Sequence, residues 1–228
     1  MFHARSVFLA IAGIGAGTVL APMAAQANDF SGTQVGVHVD YLWSKVSPSG
    51  FANAGDKALT GYKADKGGAG LSLSHDWQSN KVVFGVFGSF TSTRLKGSTS
   101  QSLTVSENEG TTVEHHGFDT NLSQLAAIGG RVGMVVNDNT LIYAEAAAAS
   151  GRLRIHETGD NATASVSHTR SGYQVGAGMD LQLNDKWTVG VEWQHYDLGK
   201  ASFAPAAYGA GKIGVHGDTA EVSLKYKF

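Results

Sequence analysis

The chain has 228 residues, with 17 Lys and Arg against 19 Asp and Glu, a formal net charge of −2. That length suits one domain, or two small ones, and the near-neutral balance excludes a charge-driven nucleic-acid partner. The absence of Cys excludes a disulfide framework and a thiolate metal centre.

Residues 1–27 read as a cleaved export signal. His3 and Arg5 open it, an apolar run covers 7–20, and Pro22 with Ala25-Gln26-Ala27 supplies a breaker and an Ala-x-Ala cleavage site. The run is shorter than the roughly 20 apolar residues of a spanning helix. No Cys stands at the cleavage point for a lipid anchor. Past residue 27 no apolar run has spanning length, so residues 28–228 would cross a membrane only as strands.

The first predicted strand covers 32–42, with Val35, Val37, Val39 and Tyr41 on one face and Gln34, Gly36, His38 and Asp40 on the other. A polar segment, 44–66, follows. The second strand, 67–77, sets Ala69, Leu71, Leu73, His75 and Trp77 against Gly70, Ser72, Ser74 and Asp76, and Gln78-Ser79-Asn80 reads as a hairpin turn. In the third, 81–93, both faces hold apolar residues: Val82, Phe84, Val86 and Phe90 oppose Val83, Gly85, Phe87 and Thr91. Residues 94–121 read as a long polar loop.

The fourth strand, 122–136, presents Ala126, Ile128, Val132, Met134 and Val136 opposite Ala127, Gly129, Arg131 and Gly133, and Asn137-Asp138-Asn139 turns the chain. The fifth, 140–152, is rich in Ala and competes with a helical reading. A strand is expected because the turn before it and the strand after it need a partner. It puts Ile142, Ala144 and Ala146 opposite Tyr143, Glu145 and Ala147. After a polar loop, 156–170, the sixth strand at 172–183 sets Tyr173, Val175, Met179 and Leu181 against Gln174, Gly176, Gly178 and Asp180. Asn184-Asp185-Lys186 leads to the seventh, 187–196, with Trp187, Val189, Val191 and Trp193 opposite Gly190, Glu192 and Gln194. A Gly- and Ala-rich loop, 197–217, precedes the last strand, 219–228, where Val222, Leu224, Tyr226 and Phe228 oppose Glu221, Ser223, Lys225 and Lys227.

The count is eight strands joined by alternating long and short connections. Even strand number, with short turns on one rim and long loops on the other, predicts an all-β, eight-stranded antiparallel up-and-down transmembrane barrel. A soluble ligand-binding barrel competes, with its apolar face inward. The polar face is too sparse for a water-exposed surface, since Gly and Ala fill most of its other positions. As a lumen it makes sense, because eight strands leave an interior that side chains fill and Gly makes room for long charged residues. The expected interior network is Asp40, Asp76, Arg131, Glu145, Asp180, Glu192, Glu221 and Lys225. Arg131 is expected to pair with Glu145, and Glu192 and Glu221 with Lys225 or Arg131. Tyr41, Trp77, Phe90, Tyr173, Trp187, Trp193 and Tyr226 form the expected aromatic girdles.

The segment from Gly172 through Asn184-Asp-Lys-Trp187 to Gly199, with Arg131-Val-Gly-Met134, Asn139 to Tyr143 and the ending Tyr226-Lys-Phe228, resembles the porin-family outer-membrane surface antigens, which are OmpA-transmembrane-domain-like and OmpX-like in architecture. The resemblance covers most of residues 28–228. It implies an outer-membrane location and roles in envelope integrity, surface interaction or, alternatively, weak pore formation. It also implies an assembly signal at Tyr226 and Phe228, read by the barrel-assembly machinery after periplasmic chaperones, with outer-membrane lipid and lipopolysaccharide around the wall.

Some barrels of this kind are lipid-modifying enzymes that carry a His-x-Ser. Here His195-Tyr196-Asp197 puts Asp where the nucleophilic hydroxyl is required, so no catalytic residues are expected. His115, His116, His156, His168 and His216 fall in predicted loops without Cys, helical spacing or a fixed carboxylate partner, so no metal ligand and no cofactor is assigned.

Overall fold

The computed structural model describes residues 29–49, 62–107, 110–159, 163–203 and 211–228. The proposed export signal lies outside the described residues. The strands are β1 (Gly32–Ser49), β2 (Tyr62–Ser79), β3 (Val82–Glu107), β4 (Gly110–Asn137), β5 (Thr140–Gly159), β6 (Thr163–Gln182), β7 (Trp187–Phe203) and β8 (Gly211–Lys227). Each pairs antiparallel with its neighbour in sequence, and β1 pairs with β8, so the sheet closes on itself. Closure leaves no unpaired sheet edge.

The faces follow the predicted alternation and are inverted relative to a soluble barrel. Val37, Val39, Leu71, Ile128, Val132 and Val222 are exposed on the outer wall, while Asp76 and Asp180 are fully buried within. An apolar belt of that extent suits lipid, not water. Thr140–Gly159 is a strand, as its position between two partners requires; its small Ala side chains alternate between wall and lumen.

The short connections are tight. Ser79 pairs with Val82, leaving a turn of Asn80 and Lys81 in which Asn80 adopts φ 55°, a left-handed conformation that Asn tolerates better than most residues. At the β6–β7 turn the Asn184 carboxamide oxygen accepts hydrogen bonds from the backbone N–H groups of Lys186 and Trp187, both 2.9 Å.

Of the polar segments expected as long loops (44–66, 94–121, 156–170 and 197–217), the described residues are strand. β3 and β4 run for 26 and 28 residues and stay paired as far as Glu107 opposite Gly110. A tilted strand needs only about 9–11 residues to cross a bilayer, so these hairpins project well beyond it. Along these extensions the sequence loses its apolar–polar period although the ladder continues. Register shifts between Ser92 and Leu95, Leu122 and Gln124, and Asp197 and Lys200 occur on this loop side. Bulges of this kind re-aim strands at barrel rims.

Candidate functional site: a glycine-bridged polar lumen

The lumen is layered. At the turn end Phe30, Val83, Val135, Leu141 and Tyr143 form a buried apolar cluster. Phe30 is held there by its N–H donating to the Gln78 side-chain oxygen at 2.8 Å, while the Gln78 N–H donates to Ser31 Oγ at 2.9 Å. On the loop side Leu42, Leu122, Leu125, Leu153, Tyr196 and Leu198 are buried. Between these layers lies the polar network.

Its centre is Arg131. Nε donates to Asp76 Oδ1 at 2.8 Å, Nη2 to Asp76 Oδ2 at 2.5 Å, and Nη1 to Asp180 Oδ2 at 3.2 Å. Lys225 Nζ donates to both Asp180 oxygens at 2.8 Å. The Tyr143 ring lies under both cations, 5.0 Å from the Arg131 guanidinium carbon and 5.5 Å from Lys225 Nζ, so its face adds cation–π attraction. The Tyr143 hydroxyl donates to Glu192 Oε2 at 2.7 Å, Gln194 Nε2 to Glu192 Oε1 at 2.5 Å, and Gln174 Nε2 to Glu145 Oε1 at 3.3 Å.

Several contacts in the lumen share one geometric device. Asp76 is in register with Gly85, and Gly85 with Arg131, so the Asp76–Arg131 pair meets across a glycine on the strand between. A Cβ at Gly85 would collide with the Asp76 carboxylate. His38 reaches Thr91 across Gly70, Tyr143 reaches Glu192 across Gly178, and Ser44 reaches Tyr196 across Gly217. The Asp180–Lys225 pair lies against Gly190, where a Cβ would sit 2.6 Å from Asp180 Oδ1. Side chains of one row on adjacent strands project in parallel, so a Cβ on the middle strand would stand between the outer two. Glycine removes it. This is the packing reason for glycines inside the strands.

The expected interior residues Asp40, Asp76, Arg131, Glu145, Asp180 and Lys225 are buried in the lumen, and Glu192 and Glu221 are half-buried there. The expected pairing is corrected. Arg131 is in register beside Glu145 but is bonded to Asp76 and Asp180, and the Lys225 carboxylate partner is Asp180. An extended Arg side chain passes over the small Gly85 more readily than it folds back onto its immediate neighbour. The residues missed by the sequence reading are His38, Thr91, Tyr143, Ser44 and Tyr196. All five occupy inward positions of the alternation, which was the available signal.

Of the expected girdle, Tyr41, Trp77, Phe90, Tyr173, Trp187 and Trp193 are exposed on the outer wall and Tyr226 is half-buried. Trp187 and Tyr226 meet edge to face at 5.0 Å, as do Tyr226 and Phe228 at 5.3 Å, while Trp77 stacks on Phe84 at 5.6 Å. His195 Nδ1 and Asp218 Oδ1 are 2.9 Å apart at a cleft that also involves Trp43, Lys45, Asp65 and His216. Tyr196 faces the opposite way, bonded to Ser44 at 2.5 Å, and Asp197 accepts from the Gly199 N–H at 2.7 Å. Of the other histidines, His216 lines that cleft and His168 is half-buried; the side chains of His115, His116 and His156 lie outside the described residues.

A closed eight-stranded barrel with an apolar wall and a charged interior is a transmembrane β-barrel. Residues 11–228 match the family described as outer membrane protein beta-barrel domain; the chain belongs to that family, and its place is the outer membrane. It is 26% identical over 222 residues to the 31 kDa outer-membrane immunogenic protein of Brucella melitensis, covering 91% of this chain and 88% of that protein. Among solved structures the outer membrane protein OprG from Pseudomonas aeruginosa matches with a TM-score of 0.50 and 15% identity, covering 89% of this chain and 98% of that one. The outer membrane protease OmpT from Escherichia coli matches with a TM-score of 0.52 and 10% identity, covering 89% and 100%. These two likenesses are of fold.

Proposed function

We propose that this protein is a sealed outer-membrane barrel that contributes to envelope integrity and displays its projecting hairpins for surface interaction. The supporting observation is the layered lumen: the Asp76–Arg131–Asp180–Lys225 chain of ion pairs lies between buried apolar side chains on both sides. A cavity bordered by Arg131, Glu145, Glu192, Glu221 and Lys225 holds only about 30 Å³, room for a water and not for a hydrated ion path. Refolded protein in planar bilayers is expected to give no stepwise conductance above the lipid baseline. Reproducible unitary steps would establish the diffusion-pore reading in its place.

A non-enzymatic role is part of this reading. His195 and Asp218 form a dyad, but Asp197 stands where a nucleophilic hydroxyl would be required, and the hydroxyl of Tyr196 beside it is buried and bonded to Ser44. Nucleophilic catalysis needs the hydroxyl beside its base. Lipid and lipopolysaccharide surround the wall in this account, with the aromatic side chains at headgroup depth.

Tyr226 and Phe228 are assigned as the assembly signal. Phe228 is 79% exposed in the closed barrel, and its N–H donates to the Thr33 carbonyl at 3.1 Å where β8 meets β1. Deleting Phe228 from the full chain is expected to lower the amount of heat-modifiable barrel in cellular membranes while leaving refolding into detergent intact. Equal cellular yields would remove the signal from this residue.

A further inference from the structure

A second polar cluster, on the β1–β8 side of the lumen, is not satisfied by the ion pairs above. Asp40 is in register with Glu221, and Glu221 with Glu192, so three carboxylates stand side by side on β1, β8 and β7. Like charges directly opposite each other on a sheet repel. Glu192 is engaged by Tyr143 and Gln194. Asp40 is different: its side chain is 2% exposed, and neither of its oxygens has a hydrogen-bond partner.

His38 closes the cluster. Its side chain is fully buried, with Nε2 3.8 Å from Asp40 Oδ2 and Nδ1 3.9 Å from Glu221 Oε1. Nε2 also lies 3.0 Å from Thr91 Oγ1, whereas Nδ1 has no partner. One donor atom from each of His38, Asp40 and Glu221 lies within 4.8 Å of the others. Gly70 makes the arrangement possible, because a Cβ there would collide with both the His38 ring and the Phe90 carbonyl.

From this juxtaposition we propose that His38, Asp40 and Glu221 bind a divalent transition-metal ion, with Zn²⁺ the best match. A neutral imidazole and two carboxylates suit a borderline cation, and Zn²⁺ takes such N and O ligands at about 2.0–2.2 Å. Tetrahedral ligands at that distance are roughly 3.3 Å apart. With one donor atom of each residue within 4.8 Å of the others, the set must contract by up to about 1.5 Å, and Asp40, which lies nearer Nε2, must turn toward Nδ1. Thr91 is the positioning residue. When its hydroxyl accepts from Nε2–H, the Nδ1 lone pair is left for the metal, the outer-shell arrangement that metal-bound histidines commonly show. The ion offsets the carboxylate row and joins β1 to β8, the two strands whose pairing closes the barrel.

The test is ZnCl₂ added to the full barrel refolded in chelator, and also supplied during refolding. Binding is followed by calorimetry, by the temperature of the heat-modifiable transition and by X-ray absorption at the zinc edge. The expected result is a single ion, a raised transition temperature and a spectrum of one imidazole nitrogen with carboxylate oxygens. Thr91→Val should weaken binding by about 10–100-fold, and His38→Gln and Asp40→Asn by more. If either of those fails to refold, Thr91→Val and Glu221→Gln carry the comparison. Absence of binding overturns the proposal. So does binding that the variants leave unchanged, or a spectrum of several imidazoles, which would locate the ion on other histidines.

Discussion

Replacing Arg131 with Met is expected to cost the barrel about 3–5 kcal/mol, the usual penalty for removing one partner of a buried ion pair. Met keeps most of the aliphatic volume, so the loss is electrostatic. Asp76, fully buried, would keep only a 3.4 Å contact from Gln34 Nε2, while Asp180 would retain Lys225. The cost should therefore fall mainly on Asp76. Asp76→Asn in the Arg131→Met background is expected to recover much of it, because an intact buried pair contributes little net stability relative to a neutral replacement. Denaturant unfolding in lipid vesicles measures both. An Arg131→Met barrel as stable as the parent would mean that the network is not desolvated as described. Conductance should stay at baseline in either variant, since Phe30, Val83, Val135 and Leu141 still fill the turn end.

The network shows where sequence reading stops. The inward positions of Asp76, Arg131 and Asp180 follow from alternation, because the outer face of each of their strands is mostly apolar. The Asp76–Gly85 pairing does not follow from the expected turn at Gln78-Ser79-Asn80, which would set Asp76 opposite Val82; it follows only once the turn is placed at Asn80 and Lys81. Gly85 opposite Arg131 does not follow. β3 and β4 are joined by a long polar hairpin, and no local turn fixes their register within the bilayer. Once that register is known, a charge, a glycine and an opposite charge in one row identify the pair. The same gap hid His38 and Thr91, which meet across Gly70 on a strand between them. Strand ends were illegible for a different reason. Between Leu95 and Glu107 the ladder is intact, but the sequence is mostly Ser, Thr and other polar residues, with only Leu95, Leu103 and Val105 apolar. Backbone hydrogen bonds hold such a ladder without any side-chain alternation.

Ile128→Arg carries the second large expectation, a loss of about 2–4 kcal/mol, because it places a charge at bilayer depth on the wall. Ile128 is 71% exposed. Along the β3–β4 ladder it falls between the row of Trp77, Phe84 and Val132 and the row of Phe90 and Ala126. Its own cross-strand partners are Gly88 and Ala148. No carboxylate is in register with it, and the neighbouring wall offers Leu71, Leu73 and Phe90 around a shallow depression at Gly88. An Arg there must reach for the headgroups or draw water into the hydrocarbon, and either is costly. Ile128→Leu at the same position should be neutral, which separates charge from shape. In water the difference would largely vanish: an exposed Ile exchanged for Arg typically changes stability by less than about 0.5 kcal/mol. Vesicle-based unfolding that finds Ile128→Arg as stable as Ile128→Leu would therefore remove this face from the bilayer, whatever the fold of the barrel.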